Sequence, residues 1–166
     1  MNVIKKIDSF LLKTQNAICI ATGLVMVVLI VAAAFLRFVF NINFSGSEEI
    51  IMFTAFWFYF MGSSAASRED SQITADMSNL VVKNPKVLQI IRLIKYFVST
   101  VISCVGTVWA YEFLVWYAAR NPRTPIYKLP EIIMVIPVFI SFVLMTVYLF
   151  GYFLNAVRRT KEVFAK

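Results

Sequence analysis

The sequence contains no histidine, and among its 166 residues are only two cysteines and five glycines. Without histidine the chain has no imidazole to serve as a general base, as the partner of a nucleophile or as a metal ligand. Two cysteines are too few for a metal cluster, and Cys19 and Cys104 fall at different predicted membrane depths, which argues against a disulfide. We therefore expect no enzyme activity, no cofactor and no metal site.

Charged residues are also scarce, at 15%, whereas hydrophobic residues make up 60% and the mean hydropathy is +0.78. Soluble domains average about 25% charged residues. Four apolar runs approach or exceed the length of about 20 residues that a helix needs to cross a bilayer. They cover residues 17–40, 48–67, 96–119 and 131–157. The sequence predicts an all-α integral membrane protein with four transmembrane helices.

Two segments outside these runs have the periodicity of amphipathic helices. In the first, residues 1–16, the apolar positions repeat at helical spacing while the lysines lie elsewhere. In the second, residues 74–95, Asn84 and Pro85 predict a helix start, with proline at the first helical position. We expect both to lie on the membrane surface in contact with lipids; ordinary linker helices are the alternative. Residues 158–166 would form a short tail.

Basic residues are distributed unevenly between the two predicted sides of the membrane. Twelve lysines and arginines lie on the side that holds both termini, and four lie on the other side: Arg37, Arg120, Arg123 and Lys128. The positive-inside rule then places both termini in the cytoplasm. The basic residues flank the apolar runs and do not alternate with aromatic residues along a stripe, so we expect no binding of nucleic acid.

Four charged residues fall at similar depth near the predicted outer ends of the first three spans: Arg37, Glu48, Glu49 and Glu112. An unpaired ionised group in hydrocarbon costs about 2–3 kcal/mol or more. We therefore expect Arg37 to form a structural ion pair with Glu48, Glu49 or Glu112. The alternative is a proton or cation relay, which would need acids in the inner halves of the spans, where the sequence has none.

The loop between the third and fourth spans is basic and rich in proline. Arg120, Arg123 and Lys128 outnumber Glu131, although this side of the membrane is otherwise poor in positive charge. One interpretation is a stiff turn with solvated charges. The other is a surface that docks an acidic protein partner through weak, salt-sensitive contacts.

Three stretches of the sequence resemble the small membrane subunit of tripartite ATP-independent periplasmic (TRAP) transporters, the DctQ-like family. The first combines RFVFN at Arg37–Asn41 with GSEEI at Gly46–Ile50, and the second is GSSAASREDSQITAD at Gly62–Asp76. The third is TPIYKLPEIIMVIP at Thr124–Pro137. The order and spacing of these stretches relative to the four spans carry the resemblance, which places Arg68 and Asp76 in a cytoplasmic turn motif.

The resemblance implies a multi-pass protein of the bacterial inner membrane that is one subunit of a transporter. In that family a large permease subunit moves substrate by an elevator motion, driven by a cation gradient, and a periplasmic binding protein delivers an organic acid. The small subunit would form a heterodimer with the large one and act as its scaffold. The alternative function is a self-sufficient, proton-coupled exporter of four helices in which Glu112 titrates.

Overall fold

The computed structural model describes residues 2–42, 44–68 and 85–164, which form four helices. These are α1 (Asn2–Phe40), α2 (Ser47–Arg68), α3 (Pro85–Arg120) and α4 (Ile132–Phe164). Each of them is long and apolar enough to cross a membrane. The prediction of an all-α protein with four membrane-spanning helices is therefore confirmed.

α4 continues past the predicted end of its span at residue 157 as far as Phe164, through most of the predicted tail. The other two long helices, α1 and α3, also exceed their predicted spans. α1 runs for 39 residues without a break at the predicted boundary near residue 16, and α3 begins at Pro85 and runs for 36 residues. No proline lies inside either helix, so the i to i−4 hydrogen bonds continue along its length. At 1.5 Å per residue the two helices are about 58 and 54 Å long, against a hydrocarbon core of about 30 Å. Residues 74–84 of the predicted connection lie outside the described residues.

α1 and α3 end in the same way, each followed by an asparagine with positive φ. Asn41 has φ of 52° after α1, and Asn121 has φ of 42° after α3. Asparagine tolerates this left-handed conformation better than most residues and stops a helix there. The amide of Ile42 then donates to the carbonyl of Leu36 (3.2 Å), and that of Asn121 donates to Tyr117 (2.9 Å). Carbonyls in the last turn of each helix are thereby satisfied.

The helices form an open row in the order α1, α2, α4, α3. α1 packs antiparallel against α2, α2 packs parallel to α4, and α4 packs antiparallel against α3. The spans of α2 and α4 are consequently more buried than those of α1 and α3. We call the end with the α1–α2 connection and residues 121–131 the loop side, and the opposite end the terminal side.

Small and hydroxyl side chains hold α3 against α4. Thr146 shares hydrogen bonds with Ser103 (2.8 Å) and Thr107 (2.9 Å) near the middle of both spans. Between them on α3, Gly106 faces the ring of Phe142, and a Cβ added at this glycine would lie 2.5 Å from that ring. Close packing at small residues and hydrogen bonds across the interface are typical of helix pairs in membranes, where lipid offers no hydrophobic driving force for association.

A proline in α4 is matched by a tryptophan in α2. Pro137 is fully buried inside α4 and has no N–H, so the carbonyl of Ile133, four residues earlier, loses its helical donor. The indole Nε1 of Trp57 donates a hydrogen bond to that carbonyl oxygen (3.1 Å). α2 therefore supplies the donor that α4 lacks, which is how membrane helices accommodate proline.

We expect the substitutions Trp57→Phe and Pro137→Ala to be coupled. Trp57→Phe should lower the free energy of unfolding by about 1–2 kcal/mol, because the carbonyl of Ile133 is left without a donor. In a Pro137→Ala background, the amide of residue 137 can satisfy that carbonyl, and the cost of Trp57→Phe should fall by about 1 kcal/mol. A double-mutant cycle in detergent measures the coupling, and strictly additive effects would contradict it.

Candidate functional site

The carboxylate of Glu49 joins the start of α2 to the loop between α3 and α4. Its two oxygens accept hydrogen bonds from the backbone amides of Ile126 (2.7 Å) and Tyr127 (3.0 Å). Glu49 is only 6% exposed, so these bonds replace the water that a buried carboxylate loses. Its position in the first turn of α2 also places its negative charge at the positive end of the helix dipole.

The loop reaches Glu49 as a narrow hairpin organised by Thr124. The backbone amide of Thr124 donates to the carbonyl of Leu129 (3.0 Å), and its buried hydroxyl accepts from the amide of Leu129 (3.0 Å). Arg123 pairs with Pro130 as an isolated antiparallel bridge, and Lys128 takes a positive φ of 52° in the turn. These contacts present two consecutive amides, those of residues 126 and 127, to the same carboxylate.

Gly46 leaves room for the loop beside the start of α2. Its φ is +98°, and a Cβ built on it would lie 2.6 Å from the ring of Tyr127. Residues other than glycine rarely adopt this conformation, and a side chain would also displace the ring. Gly46 therefore allows the loop and the N-terminus of α2 to approach closely enough for the bonds to Glu49.

At the terminal side, the other end of α2 is bonded to α1 and α4. The guanidinium of Arg68 donates from Nε to Oδ1 of Asp8 (2.8 Å) and from Nη2 to Oδ2 (2.5 Å), which makes a bidentate ion pair. The hydroxyl of Tyr152 on α4 donates to the backbone carbonyl of Arg68. One helical turn away, the amide of Gln15 donates to the buried hydroxyl of Ser64 (2.9 Å). Three helices therefore meet at Arg68.

An open groove of about 410 Å³ lies next to this ion pair. Asp8 and Arg68 form one wall, and residues of α4, among them Tyr148, Tyr152 and Asn155, form the other. Its lining mixes charged, phenolic and amide groups with apolar ones. The described residues contain no group of three or more cysteine, aspartate or glutamate side chains that could hold a metal ion.

The structure does not bring together the residues of the predicted ion pair. Within the described part of the chain, no salt bridge joins Arg37 to Glu48, Glu49 or Glu112. Arg37, Glu48 and Glu112 are exposed, and Glu49 binds backbone amides instead. Arg37 and Glu112 do not meet because α1 and α3 stand at opposite ends of the helix row, and Glu49, on the neighbouring helix α2, is already bonded to the hairpin.

The other predicted site residues are divided between the two sides. Arg120 on the loop side stacks over Trp116, with its guanidinium carbon 4.6 Å from the ring centre. Arg123 and Lys128 are exposed on the hairpin. Arg68, predicted in a turn motif with Asp76, pairs with Asp8 on α1, while Asp76 lies outside the described residues.

The sequence interpretation missed the contribution of α1 to the terminal side. Residues 8, 15, 19 and 22 form a polar or small stripe at spacings of seven, four and three, which is one face of a helix. Asp8, Gln15 and Cys19 of this stripe all bond to α2. The stripe was a detectable signal that α1 packs through this face between residues 8 and 22, which includes part of the segment predicted to lie on the membrane surface.

Substitution at Glu49 should destabilise the protein far more than the same substitution at its neighbour. Glu49→Gln keeps the size but replaces one acceptor oxygen by an N–H donor facing a backbone amide, which should cost about 1–3 kcal/mol. Glu48→Gln removes the same charge from the same helical turn at an exposed position, and should cost about 0.5 kcal/mol or less. Thermal unfolding of both variants in detergent measures the difference. Equal midpoints would contradict the role of Glu49.

Comparison with known proteins identifies a family. Residues 26–159 match the family described as "Tripartite ATP-independent periplasmic transporters, DctQ component". Neither the curated proteins nor the solved structures contain a match to the chain. The matched range includes Glu49, the hairpin and Arg68, and ends near the close of α4, whereas Asp8 and Gln15 precede it. Because the match covers most of the sequence, the chain belongs to the DctQ family, the small membrane component of TRAP transporters.

Proposed function

We propose that this chain is the scaffold, or stator, of a TRAP transporter. It would form a heterodimer with the large permease subunit in the bacterial inner membrane, with both termini in the cytoplasm. The large subunit would carry an organic acid across the membrane by an elevator motion driven by a cation gradient, after delivery by a periplasmic binding protein. The family membership supports a transporter component and association with those two partners. The stator role is supported by the hydrogen bonds between the helices and by the length of the helices.

Hydrogen bonds between the helices at three depths are the observation that carries the proposal. At the loop side, Glu49 holds the hairpin and Trp57 binds α4. In the middle of the spans, Thr146 joins α3 to α4. At the terminal side, Arg68 binds Asp8. Every neighbouring pair of helices in the row is therefore bonded at one depth or more, and these bonds resist sliding of one helix against the next, which is what a fixed support for a moving neighbour requires.

The long helices support the same function. α1, α3 and α4 have 39, 36 and 33 residues, and each exceeds the thickness of the hydrocarbon core by about 20 Å or more. The excess of α1 and α3 lies at their N-terminal ends and that of α4 at its C-terminal end, which is the terminal side in every case. Basic residues are concentrated there, so contacts with lipid head groups would anchor the scaffold in the membrane plane.

The exposed charges of the hairpin suggest how the periplasmic partner would dock. Arg123 and Lys128 project from a loop that is fixed to α2, and exposed Ile126 and Tyr127 lie between them. A basic surface held in one position attracts an acidic partner with little loss of conformational freedom. We extend the proposal to this surface: the hairpin contributes to docking of the binding protein.

Reconstitution tests the scaffold function. Proteoliposomes with this chain alone should show no uptake, those with both membrane subunits and the binding protein should transport, and the two membrane subunits should co-purify in a fixed ratio. The reason is that the chain serves as support while the large subunit holds the substrate. Transport by this chain alone, at a rate comparable with the complete system, would contradict the proposal and favour the exporter.

Charge reversal tests the hairpin. Arg123→Glu with Lys128→Glu should raise the binding-protein concentration needed for half-maximal transport by about three- to tenfold at low salt, and the difference should vanish as salt screens the charges. Arg158→Glu with Arg159→Glu reverses the same charge at exposed positions on the terminal side and serves as control. Identical curves for both double variants and the wild type at every salt concentration would leave the hairpin charges without a docking role.

A further inference from the structure

Two pairs of cationic and aromatic residues lie at the two ends of the apolar span of α3. On the terminal side the ammonium of Lys95 lies 4.9 Å from the ring centre of Tyr96, and on the loop side Arg120 stacks over Trp116. Aromatic and basic residues of this kind are enriched at the two membrane interfaces. Tyr96 and Trp116 are separated by a helical rise of about 30 Å, which equals the thickness of the hydrocarbon core.

Glu112 lies inside these boundaries. It precedes Trp116 by four residues, so it is placed about 6 Å below the loop-side interface. Its side chain is exposed, and it forms no hydrogen bond or salt bridge within the described part of the chain. A glutamate side chain is too short to reach the interface as lysine or arginine can. At this depth an unpaired carboxyl group is energetically costly, and none of the described residues of this chain pairs with it.

A second polar group shares that face of α3. Trp109, one turn from Glu112, is 69% exposed, and its indole N–H donates to no acceptor in the described residues. Val105, Val108 and Val115 lie on the same face of α3 at helical spacing and are also exposed. We call this surface the Glu112 face; its residues are Val105, Val108, Trp109, Glu112, Val115 and Trp116. It combines an acid and an indole donor that have no partner among the described residues with exposed apolar side chains.

The opposite end of the helix row, formed by α1, has no comparable polar groups on its exposed side within the span. The exposed side of α1 carries aliphatic residues such as Leu24 and Val28, and the sequence has no charged residue between positions 17 and 36. Arg37 lies within one turn of the end of α1, where its long side chain reaches the interface. That surface suits lipid. The exposed side chains of Trp109 and Glu112, which have no partner among the described residues, are both on α3, and this difference between α1 and α3 distinguishes a protein contact from a lipid contact.

We propose that the Glu112 face is the surface on which the large permease subunit docks, and that this subunit presents a cationic side chain to Glu112. An acceptor on the same partner would bind the indole of Trp109. The inference rests on the proposed function, because it assumes that a large subunit is present. The opposite face of α3 is already occupied by α4, so the row would be extended at α3 without rearrangement of its own contacts.

Site-specific photo-crosslinking tests this assignment in the intact complex. A photoreactive residue is introduced at Val108 on the Glu112 face or at Val28 on α1, two valines of matched exposure, 56% and 57%. On irradiation of membranes that contain both subunits, Val108 should give an adduct with the mass of the two subunits together, at least tenfold more than Val28 gives. Equal or higher yield from Val28 would overturn the proposal. Adducts from Val108 only with lipid, or with a second copy of this chain, would overturn it too.

Substitution at Glu112 gives an independent measurement. Glu112→Lys should reduce the amount of large subunit that co-purifies by at least tenfold, and Glu112→Gln by about threefold, because the amide still forms hydrogen bonds. Glu48→Lys makes the same change at an exposed position near the loop-side end of α2 and should leave co-purification unchanged. Full retention of the large subunit by Glu112→Lys would overturn the proposal. If even the wild-type chain fails to co-purify with the large subunit, the proposed function itself fails.

Discussion

Polar groups inside a bilayer need partners within protein, because lipid tails offer neither donors nor acceptors. This constraint determines how the four helices are arranged. The hydroxyls of Ser64, Ser103 and Thr146 form hydrogen bonds to polar side chains of the neighbouring helix, and the carbonyl that Pro137 leaves without a donor accepts from an indole of the next helix. Each of these contacts fixes which helix stands opposite which and at what height. Apolar packing alone would leave both open.

The same constraint gives meaning to the groups that remain unpaired. Glu112 and Trp109 have no partners in the described part of this chain, although other polar side chains of the spans, such as Trp57, Ser103 and Thr146, are bonded between helices. A subunit of a larger assembly differs from a self-contained membrane protein in this way, because another subunit supplies the partners for some of its polar groups. The family membership supports the same interpretation.

The existence of four spanning helices and the start of α3 at Pro85 could be predicted from hydropathy, length and proline position. The pairing of helices could not, because periodicity shows which face of a helix is polar but not which helix lies against it. Glu49 illustrates the difference. Its depth matched that of Arg37, yet its partners are backbone amides of a hairpin nearly 80 residues later in the chain. Backbone donors leave no compositional trace in a sequence.

The hairpin has a mechanical consequence that follows from where it is attached. It connects α3 and α4 covalently, but its tip is held by Glu49, which belongs to α2. A force applied to the tip is therefore transmitted along the axis of α2 as well as into the two helices that the loop joins. At the far end of α2, the ion pair between Arg68 and Asp8 connects α2 to α1, so the force also reaches α1. A force applied at the hairpin is therefore distributed over all four helices through these contacts.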